Sequence, residues 1–157
     1  MTDTTAPVID RTIYPMPMFA SFKVADILAA EAFYHAVGFV SIATIPGPEG
    51  VPVVVHLRRM KYQDILLVPG AAERGSVTVS LNAGGQDVAA LATALRAAAP
   101  EGARIEGPTD ALWFTTDVTI DDPDGNRVII TAQREAEAEQ AKAWAKENIQ
   151  GDFIAEE

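Results

Sequence analysis

One unit, a strand followed by a helix and three further strands, occurs twice in succession, and no other feature restricts the fold of this 157-residue chain as strongly. The first copy opens at residues 18–24, where MFASFKV reads as a strand. Asp26 follows as an N-cap, its carboxylate placed to satisfy backbone N–H groups that a first helical turn leaves open. Ala30, Phe33, Tyr34 and Val37 then keep the i, i+3, i+4, i+7 spacing of one buried helix face, and Gly38 is a natural stop. Three strands are expected next, at 40–45 before a PGPEG turn, at 53–60, and at 62–68 before Pro69 and Gly70.

The order then repeats. Residues 76–82 (SVTVSLN) read as a strand with Val77, Val79 and Leu81 on one face. A Gly84-Gly85 turn leads to Asp87, a second N-cap, and Val88, Leu91, Leu95 and Ala98 supply the apolar stripe of a helix that Pro100 and Gly102 end. Strands are expected at 103–106, 113–121 and 127–132. Each copy predicts a sheet with one face covered by its own helix and the other awaiting burial. The fold class is therefore α+β: two βαβββ modules, 18–70 and 76–133, pairing into a cupped, mostly antiparallel mixed sheet with a C-terminal helix. Alternate residues along each strand would line the cup.

Residues 1–17 read as an arm, since Pro15 and Pro17 favour extended backbone without ladder donors. Residues 134–157 read as a helical tail, with alanine, Glu and Lys through 134–148 and Trp144, Ile149 and Phe153 as anchors.

Composition removes several classes of function. Apolar residues at 48% and charged residues at 22% exclude a disordered chain. No apolar run approaches the roughly 20 residues that cross a bilayer, and MTDTTAPVIDRT has no basic patch before an apolar stretch. Without cysteine there is no disulfide, iron–sulfur or thiol chemistry. A cytoplasmic protein with no membrane partner is expected. The net charge of −10 repels phosphate backbones, so no nucleic-acid partner is expected, and it attracts cationic small molecules over about 10 Å. Phosphate-loop, GxSxG and His-Glu-x-x-His patterns are absent, and the Asp117, Asp121, Asp122, Asp124 run lacks EF-hand spacing.

The segment DDPDGNRVII, residues 121–130, resembles the hairpin near the end of proteins in the glyoxalase/bleomycin-resistance/dioxygenase (vicinal oxygen chelate) superfamily. Locally, Pro123 fixes a torsion, Asp124 and Gly125 make a tight turn, and Asn126 bonds nearby backbone. The opening FKVADILAAEAFYHAVGF also resembles the first strand and helix of that family, and Trp113 stands where its seventh strand often begins with tryptophan. The resemblance spans residues 18–133.

In the enzymes of that family, the resemblance implies, a divalent metal is held from the first, fourth, fifth and eighth strands. Those positions fall at Phe19, at Gln63 or Asp64, at Val77 and at Ile129. A catalytic metal needs about three protein donors, and Phe, Val and Ile have none. No metal, no cofactor and no catalytic residue are expected. His35 reads as a helix-end residue. His56 shares a strand face with Val54 and Arg58 and is the hydrogen-bonding group expected in the cup.

The candidate ligand-binding residues are Phe19, Ser21, His56, Asp64, Trp113, Asp117 and Ile129. Val77, Val79 and Thr131 are expected on the cavity side with them, and Thr115 on one strand face with Trp113 and Asp117. Of the adjacent Trp113 and Phe114, one is expected in the core. The resemblance implies a metal-free homodimer that captures a bulky aromatic or cationic small molecule, such as an antibiotic, by stacking and charge. The rival is a metal-dependent lyase, isomerase or dioxygenase whose ligands lie in another register. A third reading is a regulatory module whose cup is filled by its own rings.

Overall fold

The structure, a computed structural model, describes residues 8–152. The expected anchor Phe153 and the start of the arm lie outside the described residues. The first module contains β1 (Ala20–Val24), α1 (Ile27–Val37), β2 (Val40–Pro46), β3 (Pro52–Arg58) and β4 (Asp64–Pro69). The second contains β5 (Thr78–Asn82), α2 (Val88–Ala98), β6 (Arg104–Asp110), β7 (Thr115–Asp121) and β8 (Arg127–Gln133). A short 3₁₀ turn at Glu135–Glu137 leads into α3 (Ala138–Asn148). No helix among the described residues is long and apolar enough to cross a membrane.

Both helices start and stop as the sequence requires. Asp26 caps α1 by accepting from Ala29 N, and Asp87 caps α2 by accepting from Ala90 N, each at 3.0 Å. Gly38 ends α1 at φ 117°, a left-handed conformation that glycine adopts without a Cβ clash. Ile27, Ala30, Phe33, Tyr34 and Val37 bury one face of α1, and Val88, Leu91, Ala92 and Leu95 bury one face of α2.

The sheets have matching topology, β1-β4-β3-β2 and β5-β8-β7-β6. In each, the first strand runs parallel to the fourth and the other neighbours are antiparallel. Phe22, Val24, Val55, Leu57, Ile65 and Leu67 turn one face of the first sheet into the core. Val118, Ile120, Val128 and Ile130 do so in the second.

The modules dock through hairpin tips. Arg59, between β3 and β4, donates to the carbonyls of Asn82 (2.8 Å) and Ala83 (3.0 Å) beyond β5. Reciprocally, Asn126, between β7 and β8, donates through Nδ2 to the Lys23 carbonyl on β1 at 2.9 Å. Ala25 N donates to Asp124 Oδ1, also at 2.9 Å. Buried Asp122 accepts from the Tyr34 hydroxyl at 2.7 Å, and from the backbone N–H groups of Asp124 and Asn126 at 2.9 Å. The DPDGN turn thus closes its own hairpin and also ties the two modules together. Burial, aided by the Asp122 charge, pushes the Tyr34 hydroxyl pKa well above 10.0, so it stays a donor.

Three expectations are corrected. Val77 and Val79 pack against the core, while Thr78 and Ser80 occupy the opposite face. Counting in the register of the first copy fails because Phe22 and Val24, at even positions, face the core from β1, whereas Val79 and Leu81, at odd positions, face it from β5, so the copies are offset by an odd number of residues. Trp113 precedes β7 and does not share a strand face with Thr115 and Asp117, because Phe114 sits at φ 66° in a turn closed by Phe114 N to Ala111 O. Consequently neither ring enters the core: Trp113 is 58% exposed and Phe114 is half-buried.

Candidate functional site

The seven candidate residues fall into two groups, one beside each sheet, with Phe19 just before β1 and Trp113 just before β7. On the first sheet, β3 alternation turns His56 and Arg58 away from the core residues Val55 and Leu57. Leu66 lies between Ser21 on β1 and His56 on β3, and Asp64 lies opposite Arg58. Ser21 is exposed. Phe19, one residue before β1 and 43% exposed, stands edge-on to the His56 ring at 5.2 Å.

Asp64 organises this face. Arg58 grips its carboxylate in a fork, Nε to Oδ1 and Nη2 to Oδ2, both at 2.8 Å, and His56 Nε2 lies 2.7 Å from the same Oδ2. All three side chains are buried. These hydrogen bonds hold the Arg58 pKa above its ordinary value. An ionised carboxylate only accepts, so Nε2 of His56 must carry a proton. Its Nδ1 has no hydrogen-bond partner among the described residues. The other branch of Arg58 donates through Nη1 to the carbonyls of Asp10 and Thr12, each at 2.7 Å, while Tyr14 lies over the guanidinium at 3.8 Å. The arm is thereby strapped across the sheet.

The second group lies on the β6–β7–β8 face. Ile129 stands between Ser80 and Thr119, and Thr131 donates to Asp117 Oδ1 at 2.7 Å. Beyond this row, α3 roofs a groove of about 850 Å³ lined by Trp113, Phe114, Thr115, Gln133 and Trp144 among others. Phe114 and Trp144 meet edge-on at 6.2 Å, and Arg134 lies 5.5 Å from the Phe114 ring centre. Thr115 Oγ1 is buried and has no hydrogen-bond partner among the described residues. That volume suits a drug-sized ligand, and a buried hydroxyl without a partner is costly unless something bonds it.

No hydrogen bond or ring contact among the described residues joins the two groups. Sequence reasoning missed Arg58 as the organiser, Tyr14 as its lid and Trp144 as the partner of the Phe114–Trp113 turn. Arg58 was legible as the neighbour of His56 on an alternating strand; the other two depend on chain segments distant in sequence. His35 is a helix-end residue, with Nε2 2.8 Å from Ser41 Oγ.

The metal positions implied by the family resemblance can be tested against this register. Ser21 pairs with Leu66 in the first sheet as Ser80 pairs with Ile129 in the second, so Leu66 is the internal equivalent of Ile129. Gln63 is turned to Arg59 and the Asn82 carbonyl, and Asp64 is committed to Arg58 and His56. Two of the four places are thus occupied by aliphatic side chains and a third by Phe19. Among the described residues no three His, Asp or Glu side chains converge. The donor set does not fit a divalent metal, and combining two copies of the chain would supply the same residues.

No family model matches the sequence. No curated protein sequence matches it either. Solved structures do match. An antibiotic-binding protein, TnmS3 from Streptomyces sp. CB03234, is 27% identical with a TM-score of 0.55, over 77% of this chain and 97% of that one. A bleomycin-binding protein in complex with bleomycin is 18% identical with a TM-score of 0.56, over 79% and 100%. A lactoylglutathione lyase from Agrobacterium tumefaciens is 22% identical with a TM-score of 0.54, over 73% and 91%. The paired modules and their open faces define a vicinal-oxygen-chelate type of α+β protein. By fold the chain is similar to proteins of the glyoxalase/bleomycin-resistance superfamily.

Proposed function

We propose that this chain is a metal-free small-molecule binding protein, similar to the antibiotic-sequestering members of its superfamily. The observation that carries this reading is the second-sheet groove, where two indoles, a phenyl ring and an unpartnered buried hydroxyl surround about 850 Å³. Aromatic walls capture flat ligands by stacking, and isolated polar groups set orientation. The aliphatic residues at the implied metal positions favour capture over catalysis, and the antibiotic- and bleomycin-binding neighbours are consistent with it.

The working form is a homodimer. Phe19 and Ser21 on one face and Trp113 on the other remain exposed in a single chain. Pairing the first sheet of one copy with the second sheet of another would complete the cup. Tryptophan emission should then quench saturably with bleomycin-type glycopeptides or flat aromatic antibiotics. Trp144→Ala should abolish most of that response, and flat titrations across both classes would reject the proposal. Stoichiometric zinc, nickel, iron or manganese in purified protein would favour the lyase or dioxygenase reading instead.

A further inference from the structure

Three arginines line one concavity at the far end of the second sheet from the tryptophans. Arg74, Arg104 and Arg127 surround a polar cavity of about 470 Å³ together with Gly75, Gly102, Ala103, Gly125 and Asp121. The chain as a whole carries −10, yet three guanidiniums and one carboxylate line this cavity, with Glu106 outside the lining also acting on Arg127.

That carboxylate is already engaged. Asp121 accepts from Arg127 Nε at 2.7 Å and from Nη2 at 3.1 Å, which leaves Arg127 Nη1 uncommitted. Arg74 is seated, since its Nη2 donates to the carbonyls of Gly102 (3.2 Å) and Pro123 (3.1 Å). Gly125, at φ 86°, lies so close beneath it that a Cβ there would come within 2.4 Å of Arg74 Cγ. Backbone thus fixes Arg74 while its Nε and Nη1 stay available. Arg104 sits opposite Asp121 in the strand register but makes no ion pair among the described residues. A cation held in place by carbonyls, with donors left over, is preorganised for an anion, and guanidinium forks match tetrahedral oxyanions.

We propose that this concavity is a binding site for a phosphoryl group, whose oxygens would accept from the uncommitted donors of Arg74, Arg104 and Arg127. The site is independent of the aromatic groove, so either can fail alone. Its chemistry admits inorganic phosphate or the phosphate of a monoester.

The test is calorimetric titration of the full chain with inorganic phosphate, and separately with a glycerol phosphate, at constant ionic strength balanced with chloride. Saturable binding is expected, weakened about tenfold by Arg104→Gln, the size of one charge-assisted hydrogen bond. Arg74→Gln should weaken it similarly, and Lys61→Gln, away from the cavity, should leave it unchanged. Preference for the monoester identifies a phosphorylated molecule as the ligand; preference for inorganic phosphate identifies the free anion. A response that never saturates, or one that Lys61→Gln reduces as much as Arg104→Gln, overturns the proposal.

Discussion

Replacing Asp64 with Asn changes a few atoms and removes the one negative charge that, among the described residues, is bonded to the fully buried Arg58. Breaking a buried pair by neutralising one partner costs about 3–5 kcal/mol, because the remaining charge stays desolvated. The Arg58 guanidinium keeps two carbonyl acceptors on the arm, and the Asn amide oxygen can still accept one bond. We therefore expect the low end, about 3 kcal/mol, from a total of roughly 5–15 kcal/mol for a domain. For a chain of this size that lowers the melting temperature by roughly 6–12 °C. Urea denaturation gives the free energy directly. A second readout separates the argument from general damage. The Asn amide has one acceptor oxygen for the three bonds from Arg58 and His56, so at least one is lost, and the imidazole signals of His56 should move in nitrogen-15 correlation spectra. A double variant, Arg58→Met with Asp64→Leu, should be more stable than Asp64→Asn alone, since no orphaned charge remains. The reasoning fails if Asp64→Asn costs under about 1 kcal/mol, or if the imidazole signals of His56 stay where they are in the parent chain.

Tyr34→Phe should cost about 1–2 kcal/mol by removing the hydroxyl that bonds Asp122 across the modules. Because the folded Tyr34 pKa is raised, its stabilisation is complete below about pH 10 and is lost as pH climbs toward the folded value, so an alkaline fall in melting temperature should flatten in Tyr34→Phe. Gly125→Ala should destabilise by more than about 2 kcal/mol in urea, the left-handed penalty being joined by collision with Arg74. Truncation after Glu137 should cost less than about 1 kcal/mol, since α3 has no buried residue, yet should abolish tryptophan quenching by an aromatic ligand.

Local chemistry was enough for much of this molecule. Asp26 and Asp87 cap because a short carboxylate next to an open helical turn has little else to do, and Gly38 stops α1 because it has no Cβ. Alternation put His56 and Arg58 on one face, and the doubled βαβββ order marked two alike modules, while the strand order within each sheet came from the structure. Phe19 and Ile129 lack donors whether counted in sequence or read from the register, and the Asp64 oxygens are taken by Arg58 and His56. What lay beyond the sequence was any property that depends on how far segments distant in the chain approach one another. The second copy is offset from the first by an odd number of residues, so Val77 and Val79 joined the core instead of the cup. The left-handed Phe114 rotated Trp113 off its strand and toward the α3 groove. Asn126, expected to serve its own turn, also reaches Lys23 in the other module. Caps, stripes and alternation are written within a few neighbouring residues; the burial of Arg58 beneath the arm and the seating of Arg74 on Gly125 exist only once tertiary packing brings those partners together.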